Sequence, residues 1–183
     1  MRSLGAQTLI IVGLAVLFMT AAGSAYTEKK IPPSLQTVPF VDLNRYTGIW
    51  HEIARYPNSF LAGCVGCKAT YSLRNDSRIA VLNECYDGSF DGRLRSARGS
   101  ARIVDTSSNV KLKVSLFWPL SGDYWIIDLG PDYEYAAIGH PKRTYLWILS
   151  RTNILERKVY EDILASLKEK QYDTTKLILP PQK

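Results

Sequence analysis

The sequence predicts an all-β domain of eight short antiparallel strands followed by one amphipathic helix, and three observations predict it. Short apolar segments recur about every ten to fifteen residues between Gly48 and Ser150, each closed off by turn residues. Apolar residues at helical spacing follow only after the last of these segments. Several segments are apolar on both alternating faces: Leu146 and Ile148 alternate with Tyr145, Trp147 and Leu149, and Trp125 and Ile127 with Tyr124 and Ile126. Strands of that kind are covered on both sides. Eight of them close into a barrel or divide into a sandwich, and the pattern alone leaves both open.

Taken in order, Met1–Ala25 carries one charge, Arg2, ahead of the apolar run Leu9–Met19, and ends in Ala21-Ala22-Gly23-Ser24-Ala25. Those are the parts of a secretory signal peptide cleaved after Ala25; the alternative is a segment retained as a membrane anchor. Tyr26–Pro39 is polar and Pro-bearing, the composition of a flexible tether. The first strand, Gly48–Arg55, follows a turn over Asn44–Thr47. Ile49, His51 and Ile53 point one way along it and Trp50, Glu52 and Ala54 the other. Gly48, lacking Cβ, stands where the chain changes direction, and Trp50 delivers an indole to the start of the strand. The remaining strands are Lys68–Leu73, Ile79–Cys85, Arg98–Val104, Lys111–Phe117, Tyr124–Leu129, Tyr135–Ile138 and Tyr145–Ser150. Their breaks are Arg74-Asn75-Asp76-Ser77, Asp87-Gly88, Asp105–Asn109, Pro119 with Gly122, Gly130-Pro131 and Pro141. The helix, Leu155–Lys170, is expected to be capped near Thr152 or Asn153. Val159, Tyr160, Ile163, Leu164 and Leu167 give it one apolar stripe, which should pack outside the sheet. Leu177-Ile178-Leu179 has the makings of a short edge strand before Pro180.

Three blocks carry a resemblance. The first is Asn44-Arg45-Tyr46-Thr47-Gly48-Ile49-Trp50 running on into His51-Glu52-Ile53-Ala54-Arg55; the others are Asp132-Tyr133-Glu134-Tyr135-Ala136 and Tyr145–Arg151. In this order they resemble the signature of the lipocalins, and the first is similar to the bacterial outer-membrane lipoprotein and apolipoprotein D-like branch. The resemblance covers about Phe40 to Lys170. It implies an eight-stranded up-and-down antiparallel lipocalin barrel over residues 40–179 with one C-terminal α-helix packed on the outside. It further implies a structural signature of Gly48, Trp50 and Arg151, the indole plugging the closed end and the guanidinium lying across it.

The resemblance also orients the strands. It implies a ligand-binding interior of Tyr71, Val81, Leu112, Val114, Leu116, Tyr124, Ile126, Ala137, Tyr145 and Trp147, with Cys67, Ala69, Ile79, Asn83 and Tyr135 on the same faces. That lining is apolar and aromatic with a few hydroxyls, a composition that holds an aliphatic or ring ligand. Ala69 and Ala137 beside bulky aromatics leave room inside. Burying about ten methylenes at ~0.8 kcal/mol each contributes roughly 8 kcal/mol, a dissociation constant of about micromolar before ordering costs. Because the bacterial branch binds fatty acids or lysophospholipids, the implied function is a lipid-binding carrier for storage or transport in the cell envelope. Tighter binding needs a held head group, for which Arg55, Lys68 and Arg93 are the candidates near the mouth. No cofactor is implied.

The net charge is +6; without residues 1–25 the chain has 22 basic against 17 acidic residues, or +5. The basic residues are scattered, with the densest cluster at Arg93–Arg98, so a membrane surface stays open as a partner, as does a homodimer, and no nucleic-acid motif is present. Leu61-Ala62-Gly63-Cys64 spells a lipoprotein box, but no apolar helix precedes it, so the expectation is a periplasmic or envelope protein without a lipoprotein cysteine. Three cysteines in an exported chain predict one disulfide and one free thiol, Cys85 pairing with Cys64 or Cys67. Simple hairpin register places 67 opposite 85, whereas a bulge would bring Cys64. A metal needs more ligands than the C-x-x-C pair, and neither His51 nor His140 is placed to help. The competing classes are a lipocalin-type enzyme using Cys67 as nucleophile, and a structural envelope protein with a packed barrel. The expectation is a binding protein, not an enzyme.

Overall fold

The computed structural model describes residues 33–183 except Trp118; the expected signal peptide lies outside the described residues. Eight strands form: β1 Gly48–Arg55, β2 Cys64–Leu73, β3 Ile79–Asp87, β4 Leu94–Ile103, β5 Lys111–Phe117, β6 Leu120–Leu129, β7 Tyr135–Gly139 and β8 Leu146–Ser150. Each pairs antiparallel with its neighbour in sequence, and β8 returns to β1, closing the barrel. A one-turn helix, α1 (Leu43–Tyr46), precedes β1, and α2 (Arg157–Glu169) follows β8.

The two-sided apolar strands now have their explanation. Ala136, Ile138 and Leu149 join Trp50, Val81, Leu112 and Ile126 in a cluster inside the barrel. Ala54, Ile127, Ala137, Leu146 and Ile148 point outward and pack against Ile163 and Leu167 of α2. One wall of the barrel therefore has an apolar neighbour on each side, which a two-layer sandwich without the helix outside would not give it.

β2, β3, β4 and β6 run further toward one end than their apolar alternation suggests. Those extensions are held by ladder hydrogen bonds, which need no apolar side chains, so periodicity does not register them. Four shifts of register interrupt the ladder: in β1 between Glu52 and Ala54, in β2 between Val65 and Lys68, in β5 between Val114 and Phe117, and in β6 between Ile126 and Asp128. The β2 shift contains Gly66 at φ 57°, a left-handed backbone that glycine takes without a Cβ clash.

Three expectations about the flanks are corrected. Residues 33–39, read as part of a flexible tether, lie against the domain: Leu35 is buried beneath the helix and Val38 N–H donates to Ile126 C=O (3.1 Å). Its two apolar side chains and a free backbone donor hold it there despite the prolines. The helix starts later than expected, with Glu156 as its N-cap and no side-chain cap bond, so neither Thr152 nor Asn153 caps it. The Thr152 hydroxyl instead donates to Ile154 C=O, in the connection before the helix. The C-terminal apolar triplet makes a single antiparallel bridge, Ile178 to Arg55, rather than a strand.

Candidate functional site: the barrel interior

The strand ends at Gly48, Leu73, Ile79, Ile103, Lys111, Leu129, Tyr135 and Ser150 define one end of the barrel, which the chain closes with a plug. Trp50 is fully buried, and its indole N–H donates to Tyr46 C=O (2.8 Å). The Arg151 guanidinium lies 3.8 Å over the Trp50 ring. Arg151 also donates to Thr47 C=O (2.9 Å), Ile49 C=O (3.0 Å) and Tyr133 C=O (3.2 Å). One cation thereby ties together the entry to β1, the end of β8 and the loop before β7. Gly48, at φ 97°, leaves 3.3 Å between a would-be Cβ and Arg151 Nη1, so the glycine serves both the turn and that close approach. Val41 and Asn109 complete the floor through Val41 N–H to Ser108 C=O (2.9 Å) and Asn109 Nδ2 to Val41 C=O (3.1 Å).

Above this floor stand three tyrosines. Tyr124 hydroxyl lies 2.8 Å from that of Tyr46 and 3.0 Å from that of Tyr71, a chain of three phenols within the barrel. Burial pushes all three phenols up, Tyr71 to about 12, so they are neutral donors and acceptors at physiological pH.

Of the ten expected ligand-binding residues, Tyr71, Val81, Leu112 and Ile126 face inward and are buried in the deep half. Val114, Leu116, Tyr124 and Trp147 face inward too and are only partly covered. Along β5 cover falls from Leu112 to Val114 and Leu116, so the interior opens toward the end opposite the plug. Tyr145 stands at the rim, 38% exposed, stacked on Trp147 with 5.7 Å between rings. Ala137 is a correction: it lies outside, under α2, and Ala136 is the residue of β7 that faces the interior. Tyr135 likewise faces outward, its hydroxyl donating to Asp128 (3.3 Å). The reason is the shifted register in β6: Ile126 sits opposite Ile138 inside, and beyond the shift Asp128 faces Ala137 outside.

The interior also holds an ion pair, one member of which alternation misses. Across the seam, Arg55 is paired with Trp147 and Glu52 with Leu149, and directly opposed residues share a face. Both charged side chains are therefore inside, 3% and 5% exposed, and joined by a short Arg55–Glu52 ion pair. Arg55 Nη2 donates to Leu61 C=O (2.8 Å), and Nη1 lies 3.9 Å from Cys67 Sγ. Arg55 Nε is buried and meets no acceptor among the described residues. Burial raises the Glu52 carboxyl above its ordinary value against the opposing pull of Arg55. Strict alternation from Trp50 sends Arg55 outward; the shift between Glu52 and Ala54 turns Ala54 out and Arg55 in. The remaining head-group candidates separate from it. Lys68 points outward to Glu84 (3.2 Å), and Arg93 is exposed in the connection between β3 and β4.

At the open end the bulge at Gly66 decides the cysteines: the disulfide is Cys64–Cys85, leaving Cys67 free and buried. The three sulfurs lie within 4.8 Å of one another, but two are bonded to each other, so a metal would find one thiol. Burial, followed by the charge of Glu52, pushes the Cys67 thiol up to about 12.

Residues 41–182 match the family model described as a lipocalin-like domain. The chain is 39% identical over 165 residues to temperature-induced lipocalin-1 of Arabidopsis thaliana, covering 85% of this chain and 86% of the relative. It is 39% identical over 153 residues to the outer membrane lipoprotein Blc of Vibrio cholerae serotype O1, covering 83% and 89%. With apolipoprotein D of Macaca fascicularis it shares 31% over 186 residues, covering 95% and 94%. Among solved structures, insecticyanin of the tobacco hornworm Manduca sexta superposes with a TM-score of 0.68 at 22% identity, covering 84% of this chain and 87% of that one; the likeness concerns the fold alone. A closed eight-stranded barrel, a Trp–Arg plug and these relationships agree: the chain belongs to the lipocalin family, whose members bind small hydrophobic ligands.

Proposed function

We propose that this protein is a lipid-binding carrier, holding a single fatty acid, lysophospholipid or similar ligand in its barrel for storage or transport in the cell envelope. The observation that carries this reading is the grading of the interior. Trp50, Ile126 and Leu112 fill the plugged half, whereas inward-facing Val114, Leu116 and Trp147 retain exposed surface toward the open end. Apolar surface facing inward yet in contact with water is what a hydrophobic ligand removes from solvent, at about 25 cal/mol per Å². The envelope setting draws support from similarity to proteins named outer membrane lipoproteins, together with the expected export segment. Binding rather than catalysis is favoured by Cys67. With its thiol pushed up to about 12, the thiolate that nucleophilic attack requires is scarce at neutral pH.

The test is a titration with hexadecanoate and with a lysophospholipid of equal chain length, followed by Trp147 fluorescence against a Trp147→Phe control. The expected outcome is saturable quenching at about micromolar ligand. A flat titration with both lipids, in protein shown to be folded, overturns the carrier and leaves a packed structural barrel.

A further inference from the structure

Among the described residues the interior contains one buried side-chain nitrogen without a hydrogen-bond partner, and it belongs to a residue paired with the partly exposed Trp147. Arg55 faces inward beside Trp147, and its Nη1 and Nη2 have partners in Glu52 and Leu61 C=O while Nε has none among the described residues. Buried side-chain donors are nearly always paired, so an orphan in a ligand-bearing interior points to an acceptor supplied by the ligand.

We propose that Arg55 is the head-group anchor of the barrel, its Nε–H donating to the carboxylate of a bound fatty acid whose chain runs against Trp147, Leu116 and Val114. This rests on the carrier reading and narrows its ligand class. A guanidinium has donors only, so it takes an anionic or carbonyl oxygen and rejects an amine. Arg55 is 3% exposed, which favours a head no larger than a carboxylate over the glycerophosphate of a lysophospholipid. Glu52 supplies the charge balance. It neutralises Arg55 in the empty site, and its burial favours taking up one proton when a second carboxylate arrives. The other titratable side chains that interact with this pair are Cys67 and Tyr71, both pushed up to about 12 and neutral. The outward-facing Lys68 and the exposed Arg93 do not compete for the role.

The experiment compares hexadecanoate with hexadecan-1-ol by calorimetry. Wild-type protein is expected to prefer the acid at least tenfold, the order of a charge-assisted hydrogen bond. The paired variant Glu52→Gln/Arg55→Met removes both charges together and is expected to erase that preference while keeping affinity for the alcohol. Lys68→Gln is expected to leave the preference unchanged. If the paired variant fails to fold, the wild-type protein answers alone: the carboxyl carbon of [1-13C]hexadecanoate is expected to be shielded from a soluble paramagnetic agent. A preference that survives the paired variant, equal affinity for acid and alcohol, or a carboxyl carbon relaxed by the agent each overturns the anchor and leaves the carrier standing. Failure of wild type to bind either lipid removes the carrier reading and the anchor with it.

Discussion

The two ends of the barrel treat similar residues in opposite ways. Each holds an aromatic beside an arginine: Trp50 with Arg151 at the plug, Trp147 with Arg55 toward the mouth. At the plug the indole is fully buried with its N–H bonded, and the guanidinium is spread over several carbonyls. Toward the mouth the indole keeps exposed surface and the guanidinium's Nε has no acceptor among the described residues. The rim is apolar and open, with Phe60 48% and Leu120 74% exposed. A satisfied cluster holds one arrangement and resists change, whereas an unsatisfied one beside open apolar surface stands to gain by binding. Stability and ligand affinity should therefore separate along the barrel axis.

The largest break in that contrast is Trp50→Ala, expected to cost roughly 3–5 kcal/mol of unfolding free energy, as large core truncations do, with ligand affinity unchanged in the folded fraction. Thermal melting combined with the lipid titration checks it; a variant that melts normally but loses ligand would reverse the roles of the two ends. Next is Cys85→Ser, which removes the Cys64–Cys85 disulfide. The bond spans 21 residues, and its loss should cost about 3 kcal/mol by the loop-entropy estimate. Non-reducing peptide mapping should recover Cys64 joined to Cys85, with Cys67 alkylated only after unfolding. Arg151→Met is expected to cost roughly 2 kcal/mol, since several carbonyls lose a charged donor and the indole loses its cation, again without change in ligand affinity. Leu116→Trp should do the converse. Filling the open half, it is expected to weaken lipid binding about tenfold while the melting temperature stays within a degree or two.

The smallest effect concerns pH at the plugged end. The hydroxyls of Ser107 and Ser108 hold the Asp105 carboxyl down to about 2, and the loop they form presents Ser108 C=O to Val41. A lowered folded value means the contribution is present above the ordinary aspartate range near pH 4 and fades as pH falls toward 2. Amide exchange at Val41 should accelerate across that window in the wild type. In Asp105→Asn it should be already fast and pH-independent apart from intrinsic exchange.

By itself the sequence determined whatever depends on local spacing. Turn residues placed all eight strands and the helical stripe of Ile163 and Leu167 placed the helix outside, while Gly48, Trp50 and Arg151 were marked as the plug by the resemblance to the lipocalins. Those features rest on neighbouring residues or on one strong motif, so they survive without knowledge of the other strands. What only the tertiary structure decided depends on inserted residues. A shift of one position sends every later side chain to the other face, and nothing local announces it. Such shifts turned Arg55 inward and Ala137 outward, and gave Cys85 to Cys64 rather than Cys67. The strands were thus legible in the chain and their closure into a barrel only through the lipocalin blocks, while the chemistry of the interior was fixed by register, which belongs to pairs of strands and not to either one alone.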